Sequence, residues 1–164
     1  MTRRPLVIGG AGFIGSALVR QLAAEGPVLV LDDLSTGHAS NIEGVAGAEL
    51  VEASLLDDDA LDRTLREASV VYHLACLGVR HSIHQPVQNH QVNALGTLKV
   101  LETARHRGVD RVVYCSTSEV YGTAERVPMD EDHPTWPHTV YGGSKLAGEA
   151  YTRAYHVTYG MRPW

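Results

Sequence analysis

Cysteine is scarce in this chain: only Cys76 and Cys115 occur among 164 residues. Two thiols are too few to staple a small secreted scaffold and suit a reducing compartment, where both are expected free, as small apolar side chains. Long hydrophobic runs are absent as well. Leu6-Val7-Ile8 gives way to glycines too early for a signal-peptide core, and nothing approaches the roughly 18 apolar residues that cross a bilayer. These absences predict a cytoplasmic protein with no membrane partner. A basic tract is missing too. With Arg3-Arg4 as the only adjacent basic pair near the start and a formal net charge of −5, nothing could neutralise a run of phosphates, so nucleic acid is not an expected partner. No internal repeat or low-complexity tract interrupts the chain.

What is present is a composition of 44% hydrophobic and 20% charged residues. One globular domain of this length buries roughly 70% of its unfolded surface. Its apolar runs are short, β-branched and spaced by helical patterns, which is the signature of an α/β domain. Leu6-Val7-Ile8 starts a strand that breaks at Gly9-Gly10, and a helix is expected over Ser16–Glu25. Val28–Leu31 is a second strand, Leu50-Val51 a weaker third, and Asp57 an N-cap for a helix to about Glu67. Val70–Ala75 is a fourth strand, continuous rather than alternating, as in a parallel sheet covered on both faces. Pro86 opens one long helix to near Gly108, with Val92, Leu95, Leu98 and Leu101 at core-facing spacing. Arg111–Cys115 is a fifth strand, Thr123–His138 with its three prolines an irregular loop, and Tyr141–Tyr159 a further helix. "GMRPW" then turns toward another strand ending at Trp164.

The stretch "GGAGFIG" sets Gly9, Gly12 and Gly15 between the first strand and the first helix. Glycines there permit a tight turn and close backbone approach, so pyrophosphate oxygens can meet the amides and the positive end of a helix. Asp32 ends the second strand, where a carboxylate accepts both hydroxyls of an adenosine ribose. No Arg or Lys follows nearby to receive a 2′-phosphate, so NAD is expected rather than NADP. Asp33 either caps the next turn or joins the cofactor site. Further on, "YGGSK" places Tyr141 and Lys145 four residues apart, on one face of a helix. An ammonium beside a phenol is expected to lower the phenol pKa toward the range of a useful base.

Through "GGAGFIG", "LDDLSTG", "HLAC", "NALGTLKVLE", "STSEVYG" and "YGGSKLAGE", nearly from end to end, the chain resembles the N-terminal part of an extended short-chain dehydrogenase/reductase. It is similar to the NAD-dependent sugar-nucleotide epimerase/dehydratase family. The resemblance implies a doubly wound parallel sheet, a Rossmann fold, with NAD across the strand carboxyl ends. It implies an NAD-binding domain over residues 1–164 and a substrate-binding domain absent from this chain. Tyr141 is then the catalytic base, Lys145 holds the nicotinamide ribose and tunes the tyrosine, and Thr117 hydrogen-bonds the reacting sugar hydroxyl. The implied cofactor site comprises Gly9, Gly12, Phe13, Ile14, Gly15, Asp32, Leu55, Ala75, Tyr141 and Lys145. The implied substrate is a nucleotide-diphosphate sugar, oxidised first at C4 with hydride passing to NAD, and the implied assembly is a homodimer. Two positions depart from the pattern. Ile8 replaces a threonine that can brace the glycine turn, and Ser54 replaces an aspartate that helps to hold adenine.

The resemblance makes Glu119 the candidate that separates the reactions that could follow. Once C4 is a ketone the C5 proton is acidic, and a carboxylate in reach can remove it. The resemblance of "TSE" to dehydratases and decarboxylases makes Glu119 a fourth catalytic candidate and ranks dehydration or decarboxylation ahead of 4-epimerisation. The alternatives are a strand-end carboxylate facing water and, for the whole chain, a catalytically incomplete NAD-binding module. No metal is expected. His81-x-x-His84 lies in what reads as a loop, with no cysteine pair or carboxylate to complete a tetrahedral site. Arg80 and His81 follow the fourth strand, where they could touch a sugar or phosphate, but are read first as solvated; the resemblance implies that Asn93 is a structural tie from helix to backbone, and Cys76 and Cys115 are read as thiols at the ends of neighbouring strands.

Overall fold

The computed structural model describes residues 3–109 and 111–163, so Trp164 lies outside the described residues. Six parallel strands form one sheet in the order β3-β2-β1-β4-β5-β6. They are β1 (Arg4–Ile8), β2 (Val28–Asp32), β3 (Ala48–Glu52), β4 (Ala68–His73), β5 (Arg111–Tyr114) and β6 (Arg162–Pro163). The order reverses between β1 and β4. In an open α/β sheet such a switch point leaves a crevice outside the strand carboxyl ends.

Both faces of the sheet are covered, which is why its strands are apolar without alternation. Leu6 and Ile8 of β1 join one core with Leu29, Leu31 and Val71; Leu61 and Leu65 of α2 (Asp58–Arg66) and Val100 and Leu101 of α5 (Gly96–His106) complete it. Val7, Val28 and Val30 turn the other way, against Val19 of α1 (Phe13–Ala23). Asp57 caps α2, its carboxylate accepting the Asp59 and Ala60 amides at 3.0 Å.

Several boundaries differ from the sequence expectation for identifiable reasons. Helix α1 begins at Phe13, straight after Gly12, so Phe13–Gly15 belong to its first turn. β4 leaves the sheet after His73 because Leu74 and Ala75 both donate to the Ile8 carbonyl as the chain crosses Gly9. The stretch containing His81 is α3 (Val79–His84), not a loop. The expected single helix from Pro86 is three pieces: α4 (Pro86–His90), a π-helical turn (Gln91–Leu95) and α5. Apolar spacing does not register that change of pitch. Asn93 accepts the Leu77 amide at 2.8 Å and donates to the Leu77 carbonyl, to Asn89 and to Ser144, so it ties helix to backbone as read from the sequence. Ser144 lies on α6 (Val140–Tyr159), capped by Thr139.

Candidate functional site

The crevice at the switch point is a cavity of about 340 Å³. Gly9, Gly12, Phe13, Ile14, Gly15, Asp32, Leu55, Ala75, Tyr141 and Lys145, separated in sequence by up to the length of the domain, all line it. Thr117 and Glu119 do not belong to that lining.

The glycine turn is built for close approach. Gly9 has φ +84°, and a Cβ there would lie 2.6 Å from the Ala75 nitrogen; a Cβ on Gly15 would overlap the Gly9 carbonyl. With no side chains in the way, the leading amides of α1, which have no partner within the helix, face the crevice together with the positive end of its dipole. No acidic residue stands in the first turn to satisfy them. Ile8 leaves the turn without a hydroxyl brace, and backbone holds it instead, with the Gly9 amide donating to the Leu31 carbonyl at 2.8 Å. Phe13 is 94% exposed and Ile14 is exposed beside it, an apolar lip on a polar cradle.

Asp32 is buried at the end of β2, one oxygen accepting the Ala11 amide at 2.8 Å and the other the Leu34 amide at 2.9 Å. A carboxylate has about four acceptor sites, so two amides orient it and leave capacity for a ribose diol. Leu34 takes φ +57°, unusual for a branched side chain, and the Asp32 bond to its amide supports that turn. Asp33 accepts the Ser35 amide at 3.0 Å and the Ser35 hydroxyl, so it caps the turn, and it also lines the crevice. Ser54 likewise serves its own turn, accepting the Leu56 amide. The cradle, the carboxylate and the cavity fit a dinucleotide.

At the far end, helix α6 presents Tyr141 and Lys145. Lys145 is 2% exposed; its Nζ donates to the Cys115 carbonyl at 2.5 Å and lies 4.2 Å from the centre of the Tyr114 ring. Burial lowers the lysine pKa, opposed by the nearby thiols and Glu149. The Tyr141 phenol is raised, not lowered. Burial is the first cause and the Cys76 thiol the second, while a hydrogen bond with Thr117 pulls the other way. The expectation that the lysine depresses this phenol is corrected on that balance, in which burial and the Cys76 thiol prevail. Cys76, which touches the phenol, was not legible as a site residue.

Thr117 caps a 3₁₀ turn (Ser118–Val120) after β5, its hydroxyl accepting the Glu119 amide at 3.3 Å. Glu119 is exposed on that turn, 3.5 Å from the Thr139 hydroxyl at the start of α6. Arg80 is exposed, and His81 bonds Gln88 at 3.2 Å; neither lines the crevice. Cys76 and Cys115 are free thiols and both line it. Among the described residues no three His, Cys, Asp or Glu side chains group where a metal could sit, and no helix is long and apolar enough to cross a membrane.

A parallel sheet with a glycine cradle, a ribose-ready carboxylate and a Tyr-Lys helix at one crevice defines a dinucleotide-dependent class. The NAD dependent epimerase/dehydratase family model matches residues 5–164, and the chain belongs to that family, whose cofactor is NAD. It is 41% identical over 166 residues to the UDP-glucose 4-epimerase of Mycolicibacterium smegmatis, covering 96% of this chain and 53% of that one. Among solved structures, the Thermus thermophilus UDP-glucose 4-epimerase in complex with NAD superposes with a TM-score of 0.90 at 38% identity, over 98% of this chain and 53% of that one. DesIV, the dTDP-glucose 4,6-dehydratase of Streptomyces venezuelae with NAD and TYD bound, gives 0.92 at 37%, with coverage of 98% and 53%. The chain spans about half the length of the curated relatives it matches.

Proposed function

We propose that this chain binds NAD along the crevice and forms the cofactor half of a nucleotide-sugar modifying enzyme that oxidises its substrate at C4. One observation carries the reading: Tyr141 and Lys145 of α6 line the same crevice as the glycine cradle and Asp32. NAD, when bound, supplies a reversible hydride acceptor. The remaining work falls to the chain. Gly9, Gly12 and Gly15 with the start of α1 receive the pyrophosphate, with Phe13, Ile14, Leu55 and Ala75 as apolar walls and Asp32 on the adenosine ribose. Tyr141 takes the proton from the C4 hydroxyl and Thr117 orients it. Lys145, on the same stripe of α6, would hold the nicotinamide ribose beside that phenol.

For the second half of the reaction we favour return of the hydride to C4, a 4-epimerisation of a UDP-sugar. The Mycolicibacterium smegmatis relative is a UDP-glucose 4-epimerase, and Glu119 stands outside the crevice lining. This reverses the order in which the residues alone rank the two outcomes. Dehydration or decarboxylation with Glu119 removing the C5 proton is the second reading, supported by the 37% identity to a dTDP-glucose 4,6-dehydratase and by the turn that sets Glu119 two residues from Thr117.

Calorimetry with NAD, and product analysis by NMR with UDP-galactose, UDP-glucose and dTDP-glucose, test the proposal. Heat on adding NAD to this chain is expected, and turnover of one sugar once the chain is joined to a substrate-binding half. Tyr141→Phe should keep the heat and lose roughly 100-fold or more in turnover, the usual contribution of a general base. Absence of heat overturns the cofactor reading, and heat without turnover of any sugar assigns a binding module. If the chemistry is dehydration, Glu119→Gln loses product while bound NAD still becomes reduced; unaltered turnover removes Glu119 from the mechanism.

A further inference from the structure

Tyr141, Lys145 and Glu149 recur every four residues along α6 and so share one stripe of the helix. Lys145 is a buried ammonium, and a buried charge needs both hydrogen bonds and a compensating charge. The groups that face it are the Tyr114 ring of β5 and Cys115 just after that strand, Cys76 and the neutral, buried His73 from β4 and the segment after it, and Tyr141 and Glu149 from its own helix. Glu149 is the carboxylate among them. It does not touch the ammonium. Its Oε1 instead accepts a short hydrogen bond from the Ser116 hydroxyl. Ser116 follows Cys115, whose carbonyl Lys145 holds, and precedes Thr117. One carboxylate therefore anchors the strand end that carries both the lysine acceptor and the substrate-facing threonine.

We propose that Glu149 is a positioning residue for the Tyr141–Lys145 pair: through Ser116 it holds the Cys115–Ser116 peptide in reach of Lys145, and its charge balances the buried ammonium. The role attributed to the pair rests on the function proposed above, whereas the coupling of Glu149 to Lys145 does not.

Lys99 and Lys145 are the only lysines in the sequence, so a chain labelled with ¹³C at lysine Cε shows two side-chain signals and carries its own control. In Glu149→Gln the titration midpoint of Lys145 should fall by about one pH unit, in the range for loss of a nearby opposite charge, with Lys99 unmoved. Glu149→Asp should restore most of that shift. An unmoved Lys145 midpoint in a folded Glu149→Gln chain overturns the proposal. Should that variant not fold, Ser116→Ala carries the test: it deletes the hydrogen bond, leaves the carboxylate and must still move the Lys145 signal, and an unchanged signal again overturns the proposal. NAD heat with the parent chain is measured separately, so the cofactor reading and this one fail independently.

Discussion

The three glycines of "GGAGFIG" look equivalent in sequence but answer to different demands. Gly9 needs a positive φ, and both Gly9 and Gly15 sit where backbone would collide with any Cβ. Gly12 has φ −76° and ψ 178°, open to any residue, and a Cβ there meets only the Gly9 carbonyl at 3.4 Å. Gly12→Ala should therefore fold, losing no more than about 1 kcal/mol at this helix cap in urea melts. Its methyl would occupy the space through which pyrophosphate approaches the helix, so calorimetric affinity for NAD should fall about tenfold or more, a loss of about 1.4 kcal/mol. Unchanged affinity would mean that the phosphates bind elsewhere. Gly15→Ala should lose stability and binding together.

At the scale of elements, the π-helical turn between α4 and α5 is where the helical stretch bends to its polar task. Asn93 there makes four hydrogen bonds, two with the Leu77 backbone, one with Asn89 and one with Ser144, the last reaching α6 one residue from Lys145. Removing it strands the Leu77 amide just where the segment after β4 passes the crevice, while the Leu77 carbonyl keeps its bond from Asn89. Asn93→Ala should destabilise the chain by about 1–3 kcal/mol, the cost of leaving a polar group unpaired away from water. A urea midpoint within error of the parent would show that this tie is dispensable.

For the molecule as a whole, acid is the informative stress. His73 is 1% exposed at the centre of the sheet, its Nε2 bonded to Thr97 at 2.9 Å. Because Thr97 donates onward to the Asn93 carbonyl, the histidine supplies the proton at Nε2 and its Nδ1 is left without a partner. Burial, aided by the Lys145 charge, drives its pKa to about 3. An unfolded histidine titrates near 6.5, so between those values the unfolded state binds more protons and stability falls as pH falls, by up to about 1.4 kcal/mol per pH unit. Glu102, paired with Arg105 and Tyr155 and lowered to about 2, adds its loss only below the ordinary carboxylate range. Urea midpoints between about pH 6.5 and 4.5 isolate the histidine, and His73→Phe should flatten the decline there. An equal slope in that variant would refute the assignment.

The sequence by itself determined the class of fold, the cradle and the Tyr-Lys stripe, because each rests on local physics: β-branched runs, glycine where Cβ cannot fit, and a four-residue helical spacing. The same locality made the Asp57 cap readable, whereas the Asn93 tie was implied by the family resemblance. Only the tertiary structure decided what surrounds those residues. It brought Cys76 against the phenol, tied Ser116 to Glu149, turned Lys145 to a carbonyl, raised the tyrosine pKa and left Glu119 outside the crevice lining. These outcomes depend on distance, burial and charge between strands and helices far apart in the chain, and such quantities exist only once the sheet has assembled.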